Sequence, residues 1–183
     1  MKDIRFKKGS AQDATFITSD PGHEKHVESR SEGKSRRSKD GSFTKNNNKT
    51  SFGYKGHSIV DDNNPVPVIR SYAVTAAKDH DTRIDLSKRG ITVYRDKEYF
   101  GSDPKGIDAT VDRAVRNHKL SIESLRRNRR ISRKRSMVEY PYAVIKRVFH
   151  FYHVMVTLVR RVRVKFMFAC FGYNVHALKI LQG

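Results

Sequence analysis

The sequence predicts an α/β domain in which strands come first and helices follow. Two patterns carry that reading. Over residues 51–117 apolar and polar residues alternate in stretches with the period of a strand; from Ser121 onward the apolar positions recur every three or four residues. The chain has 183 residues, enough for a single domain with a real core.

Residues 10–18 (SAQDATFIT) mix apolar and β-branched side chains and read as the first strand. Residues 19–50 are polar, with three consecutive asparagines and little that is apolar beyond Val27 and Phe43. Such a stretch cannot bury enough surface to order itself, so it reads as a flexible insertion within one domain spanning 1–183. From residue 51 the sheet resumes. Phe52, Tyr54, Ser58 and Val60 fall on one face, and Lys55, His57 and Ile59 on the other. The DDNNP turn at 61–65 and renewed alternation over Val68–Thr75 make the pair an antiparallel hairpin. Ile91–Tyr94 is a short apolar run ending just before Asp96, and alternation of Ile107, Ala109 and Val111 favours strand over short helix for 106–115. Val138, Tyr142, Ile145, Phe149 and Tyr152 then form a helical stripe, and Phe166, Ala169, Tyr173 and Ala177 form another within Val154–Leu181.

Lys and Arg number 38 against 19 acidic residues, a formal charge of +19. That exceeds the net charge of about 2–8 that solubility asks of a small domain. A polyanion is the implied partner, and nucleic acid is the commonest one. The longest stretch without Lys, Arg, Asp or Glu near the C-terminus, Phe166–Leu178, is shorter than the roughly 20 residues of a spanning helix, so a membrane is not expected. The N-terminus has no apolar run of a signal peptide. One cysteine, Cys170, excludes an internal disulfide and fits a reducing cytoplasm. The dense arginine block Arg126, Arg127, Arg129, Arg130, Arg133 and Arg135 would repel itself on an idle surface, so a polyanion explains it better than a solvated face.

The segment RISRKRSMVEYPYAVIKR concentrates the chemistry. Arg135, Glu139 and Lys146 have the spacing R-x3-E-x6-K. On one continuous helix they lie within roughly 40° of one another, a carboxylate between two cations, suited to holding a metal ion beside a phosphate. A second geometry is open. Ser136-x-x-Glu139 matches a capping box and Pro141 suits a first turn, in which case the helix begins there and Arg135 lies outside it. Asp96, taken alone, also reads as a turn residue after a strand. His80, in KDHDT, lacks zinc-ligand spacing, and His23 and His26 with Glu24 and Glu28 read as solvated.

The R-x3-E-x6-K spacing resembles the signature around the catalytic glutamate of DDE-type insertion-sequence transposases. TVYRDKEYFG resembles the strand end bearing that family's second aspartate, here Asp96, 43 residues before Glu139. QDATFI resembles the strand of the first aspartate and selects Asp13 over Asp3 and Asp20. SFGYKGHSIVD, VTAAKDHDT and FACFGYNVHALKIL also resemble family segments, so the likeness covers nearly the whole chain. Two positions depart from the pattern: Ser132 stands where the family has tyrosine, and Glu98 where a glycine commonly follows Asp-Lys.

The resemblance implies an RNase H-like mixed sheet, an antiparallel hairpin plus parallel strands with C-terminal helices. Asp13, Asp96 and Glu139 would hold two divalent ions, magnesium or manganese, and catalyse DNA strand cleavage and strand transfer of an insertion sequence. Lys97, Arg127, Arg130, Arg133, Arg135 and Lys146 are the expected DNA ligands. Double-stranded DNA, as transposon ends and target, is the expected partner. The resemblance also allows a homodimer, in a nucleoid-associated cytoplasmic setting of prokaryotic origin. Relatives carry an upstream helical region, so a start only twelve residues before Asp13 reads as N-terminally truncated. Two alternatives stand beside this: a catalytically inactive DNA-binding remnant, and an RNase H-like nuclease without strand transfer. A basic RNA-binding protein shares only the charge.

Overall fold

A computed structural model describes residues 9–21, 40–46, 49–61, 66–116 and 118–182. Its described strands are β1 (Gly9–Ser19), β2 (Ser42–Asn46), β3 (Lys49–Asp61), β4 (Ile69–Ala76), β5 (Thr92–Arg95), β6 (Ile107–Thr110) and β7 (His153–Val154). The helices are α1 (Ile122–Arg135), α2 (Glu139–Arg147) and α3 (Val159–Gln182). The described strands form one mixed sheet along the path β2-β3-β1-β5-β6.

β1 is the centre of the sheet, and its two edges differ. One edge pairs antiparallel with β3 from Ser10↔Asp61 to Thr18↔Gly53. The other edge is shared by two short parallel neighbours: β5 pairs with Gly9–Ala11, and β7 pairs with Thr18 and Ser19. Between them residues 12–17 of β1 have no strand beside them among the described residues. Such a divergence of parallel neighbours is where open α/β sheets make their crevices. β3 is likewise shared on its outer edge, by β2 over Lys49–Gly53 and by β4 over Tyr54–Val60.

The hairpin expected from alternation is β3–β4, antiparallel, with a register irregularity at Ile59/Val60. Its turn, residues 62–65, lies outside the described residues. Within the stretch expected to be a polar insertion, residues 42–46 form β2. Phe43 pairs with Phe52 there, and the rings meet edge to face at 4.9 Å. Residues 22–39 of that stretch lie outside the described residues. The strand expected over 106–115 is limited to Ile107–Thr110, parallel to β5.

Ser121 caps α1 by accepting from the Ser124 amide at 3.1 Å, and Arg133, Lys134 and Arg135 lie at the helix's negative end. α1 buries only Ile131 and is otherwise a solvated basic rod. It runs through a tight 3-10 turn, Ser136–Val138, straight into α2, with helical backbone angles at Arg135, Ser136, Val138 and Glu139. Pro141 explains the tightening: it has no amide to give to the turn before it. The capping-box geometry is therefore not adopted. Ser136 donates to the Arg133 carbonyl at 2.9 Å instead. The apolar stripe runs past the helix. Val138, Tyr142 and Ile145 are buried, but α2 ends at Arg147 and His150 adopts a positive φ of 52°, leaving Phe149 and Tyr152 exposed.

α3 begins at Val159, later than the periodicity suggested, because His153–Val154 is taken into the sheet. The Asp40 carboxylate accepts from the Val159 amide at 2.7 Å and so caps α3 from a distant segment. Val162, Phe166, Ala169, Cys170, Tyr173 and Ala177 face the core. Phe166 sits where a side chain at Gly56 would have to go, and Asn174 binds both the amide and the carbonyl of Ile69 at 2.9 Å, completing the edge of β4. Among the described residues no helix is long and apolar enough to cross a membrane.

Candidate metal and DNA site

Of the sequence-predicted acids, Asp13 and Asp96 lie on adjacent strands, and Asp96 acts electrostatically on Asp13. Asp13 lies two residues beyond the last β1–β5 pair, Ala11↔Tyr94, and Asp96 lies two residues beyond the same pair on the other strand. The parallel register thus brings the two aspartates near each other on adjacent strands. Asp96 turns the chain there: its carboxylate accepts from the Lys97 amide at 2.7 Å, starting the 3-10 turn Lys97–Tyr99. Arg95, only 1% exposed, secures this loop from beneath by donating to Ser102 O at 2.8 Å, Thr110 Oγ1 at 3.0 Å and Asp108 Oδ1 at 3.0 Å.

Asp13 shares its face of the sheet with Ser58, its cross-strand partner on β3. One carboxylate oxygen accepts from the Ala14 amide at 2.9 Å, and the other accepts from Arg135 Nη1 at 3.0 Å. Burial is the dominant influence on this carboxyl and lifts its pKa to about 6. The Ala14 amide and the Arg135 guanidinium oppose that rise, and the charges of Asp96 and Asp81 add to it.

Glu139 comes from the helix side. The continuous α1–α2 rod keeps Arg135 one turn before it, and Arg135 Nη2 reaches Glu139 Oε1 at 3.6 Å. A single guanidinium therefore stands between the carboxylates of Asp13 and Glu139. The Glu139 side chain is 64% exposed, whereas that of Asp13 is 23% exposed. Lys146 is half-buried on α2. Burial lowers its pKa, and the Asp13 charge works against that lowering, which places the ammonium in the field of the same carboxylate.

The expected DNA ligands divide. Lys97, Arg130 and Arg133 are exposed, while Arg135 and Lys146 line the acids. Arg127 is committed elsewhere: its Nη1 donates to Thr110 O and to Asp112 Oδ1, both at 2.9 Å, tying α1 to β6. Sequence reasoning missed two contributors. Asp81 is buried, pairs with Lys55 at 2.9 Å and adds its charge at Asp13; its signal lay in the KDHDT segment. Tyr142 donates to the Asp13 carbonyl at 2.7 Å and was read only as an apolar core position. A cavity of about 680 Å³ lined by Asp40, Leu158, Val159, Arg160 and Arg163 lies at the start of α3, away from these acids.

The donor set of Asp13, Asp96 and Glu139 is all carboxylate, the chemistry of a hard divalent cation. A desolvated carboxyl such as Asp13 gains most from a nearby dication. Among the described residues no three His, Cys, Asp or Glu side chains stand close enough together to hold one ion, and the Arg135 guanidinium occupies the gap between Asp13 and Glu139.

Against known proteins, a family model described as "Transposase DDE domain" matches residues 5–175. No curated protein and no solved structure matches the chain.

Proposed function

The chain belongs to the transposase DDE domain family, and from that premise we propose that it cuts DNA strands and joins them to a target at a crevice formed by Asp13, Asp96 and Glu139. The mixed sheet with C-terminal helices is consistent with the RNase H-like fold, and the family's activity is DNA cleavage and transesterification with divalent metals. The observation that supports these particular residues most is the Arg135 bridge from Asp13 to Glu139, with Asp96 on the strand beside Asp13.

In this reading the three acids hold two divalent ions, magnesium or manganese. Bound there, the ions would supply Lewis acidity to the attacking and leaving oxygens of a phosphodiester. The chain's own residues do the rest. Burial raises the pKa of Asp13, and Arg135 holds the space between Asp13 and Glu139. Asp13 and Glu139 would hold such an ion, and Arg135, paired to both, would orient them and offer its guanidinium to a backbone phosphate. Lys97, Arg130 and Arg133 offer exposed cations for the phosphates leading to the crevice. Action as a homodimer on two transposon ends belongs to the same proposal.

Nicking of supercoiled DNA with magnesium or manganese tests it. Wild-type chain should nick; Asp96→Ala and Glu139→Ala should not. Full cleavage by either variant would remove that acid from the site. A substrate with a pre-cut 3′-hydroxyl end and a separate target distinguishes strand transfer from hydrolysis alone. Salt-sensitive binding without cleavage under either ion would mark an inactive DNA-binding remnant.

A further inference from the structure

The acids on the strands and the acid on the helix belong to separate parts of the fold, and something must set their spacing. β5 ends before it reaches Asp13 and β7 begins only at Thr18, so this stretch of β1 has no strand neighbour on that edge among the described residues. α2 reaches the sheet over β1 and β3 through Tyr142, its one buried polar side chain. The Tyr142 hydroxyl donates to the Asp13 carbonyl at 2.7 Å and lies 3.4 Å from the Gly56 carbonyl. It accepts from Ser58 Oγ at 2.9 Å, and Ser58 is the residue paired across from Asp13. One phenol thus touches both members of a cross-strand pair. Tyr142 is three residues after Glu139, a spacing that puts the two on neighbouring positions of one helix face.

We propose that Tyr142 is a positioning residue: its hydroxyl, oriented by Ser58, pins α2 to the backbone of Asp13 and so fixes the distance between Asp13 and Glu139. The inference rests on the reading of those two residues as metal-holding acids. Apolar packing of Ile145 and Val138 seats α2 on the core but is non-directional and tolerates small slides. A hydrogen bond to a strand carbonyl sets direction and distance together. The phenol is buried, so this hydrogen bond is shielded from water. Groups that orient metal ligands without touching the ion are typically worth about 10–100-fold in metal affinity.

The test uses the full chain, with free Mn2+ followed by electron paramagnetic resonance. Tyr142→Phe keeps the ring and removes the hydroxyl. It should weaken Mn2+ binding by about tenfold or more and speed amide exchange in residues 139–147 while leaving α1 unchanged. Tyr142→Phe also strands the Ser58 hydroxyl, so the melting temperature falls; adding Ser58→Ala removes that stranded group. The double variant should recover melting temperature and keep the weakened Mn2+ binding. A Tyr142→Phe chain that melts lower but binds Mn2+ like wild type would make Tyr142 a core anchor only and overturn the proposal. If wild type itself binds no Mn2+, the metal-site reading falls. The exchange measurement then decides alone whether the hydroxyl holds α2 against β1, and unchanged exchange rejects it.

Discussion

The strand side and the helix side of the crevice are held by different forces. Asp13 and Asp96 ride on paired backbone: β1 is locked to β3 over nearly its whole length and to β5 up to the residues just before the two acids. Glu139 and Lys146 ride on α2, which meets the sheet only through side chains, chiefly Val138, Tyr142 and Ile145. The strand side has a settled position and a poorly supported charge, since burial lifts Asp13 to about 6. The helix side has the reverse: Glu139 is solvated, but its place depends on how α2 is seated. A divalent cation would link the two sides, supplying charge to one and a fixed point to the other.

The largest effect should come from removing either charge, and it should look alike on both sides. Asp13→Asn and Glu139→Gln are each expected to lower metal-dependent nicking on the order of 10³-fold, as loss of a metal ligand removes several kcal/mol of transition-state stabilisation. Stability should separate them. Glu139→Gln, on the surface, should stay within about 0.5 kcal/mol of wild type by urea denaturation, whereas Asp13→Asn should not. Equal stability effects would erase the contrast drawn between the sides.

Seating of the helix side comes next. Ile145 is fully buried between α2 and the core. Ile145→Ala should cost about 2–5 kcal/mol through lost transfer energy and a cavity. A cost below about 1 kcal/mol would mean the core closes around the gap, and packing would then not be what seats α2.

The pH dependence of Asp13 is a smaller effect with a defined sign. Its carboxyl titrates at about 6 in the folded chain against 3.8 for the ordinary group. The folded state binds that proton more tightly, so the stabilisation is complete below 3.8 and is lost as pH rises through about 6. The loss amounts to about 3 kcal/mol. Asp13→Asn should therefore match wild type near pH 3.5 and exceed it at pH 8 in urea denaturation. Magnesium should narrow the gap at pH 8 by binding only the ionised wild-type carboxylate. A wild-type advantage at pH 8 without metal would show that the Arg135 pair outweighs burial.

Much of this was legible in the sequence, for identifiable reasons. β1 followed from its apolar and β-branched residues, and β3 and β4 from alternation, since a strand with one face on the core writes its period into the chain. Asp96 was marked by an apolar run that stops, and Glu139 by the R-x3-E-x6-K spacing. Other features were hidden because they depend on tertiary context. Tyr142 obeys the apolar period whether or not its hydroxyl finds a strand carbonyl. Phe149 and Tyr152 extend that period beyond the end of α2, because periodicity does not register the positive φ at His150. β2 lies in a polar stretch and owes its pairing to Phe43 meeting Phe52 across from it. Asp81 stood in the singled-out KDHDT segment, but only the fold brings its charge to Asp13.

The smallest contrast lies within the basic block and asks what its charge is for. Arg127 and Arg130 are three residues apart on α1 and look equivalent in sequence. In the fold Arg127 is turned to Thr110 and Asp112, while Arg130 faces solvent. Arg130→Ala should leave stability unchanged within about 0.5 kcal/mol. If that arginine neutralises a phosphate, the slope of log binding constant against log salt should fall by about 0.9. Arg127→Ala should do the opposite: it should cost about 1 kcal/mol of stability, since its ion pair is partly exposed, and leave the salt slope nearly unchanged. Measuring both slopes on duplex DNA between low and moderate salt decides the matter. Equal slope changes would mean that Arg127 leaves Asp112 when DNA binds, and that the tie between α1 and β6 opens on the substrate. No change for Arg130 would move the DNA path off α1, toward Lys97 and the mouth of the crevice.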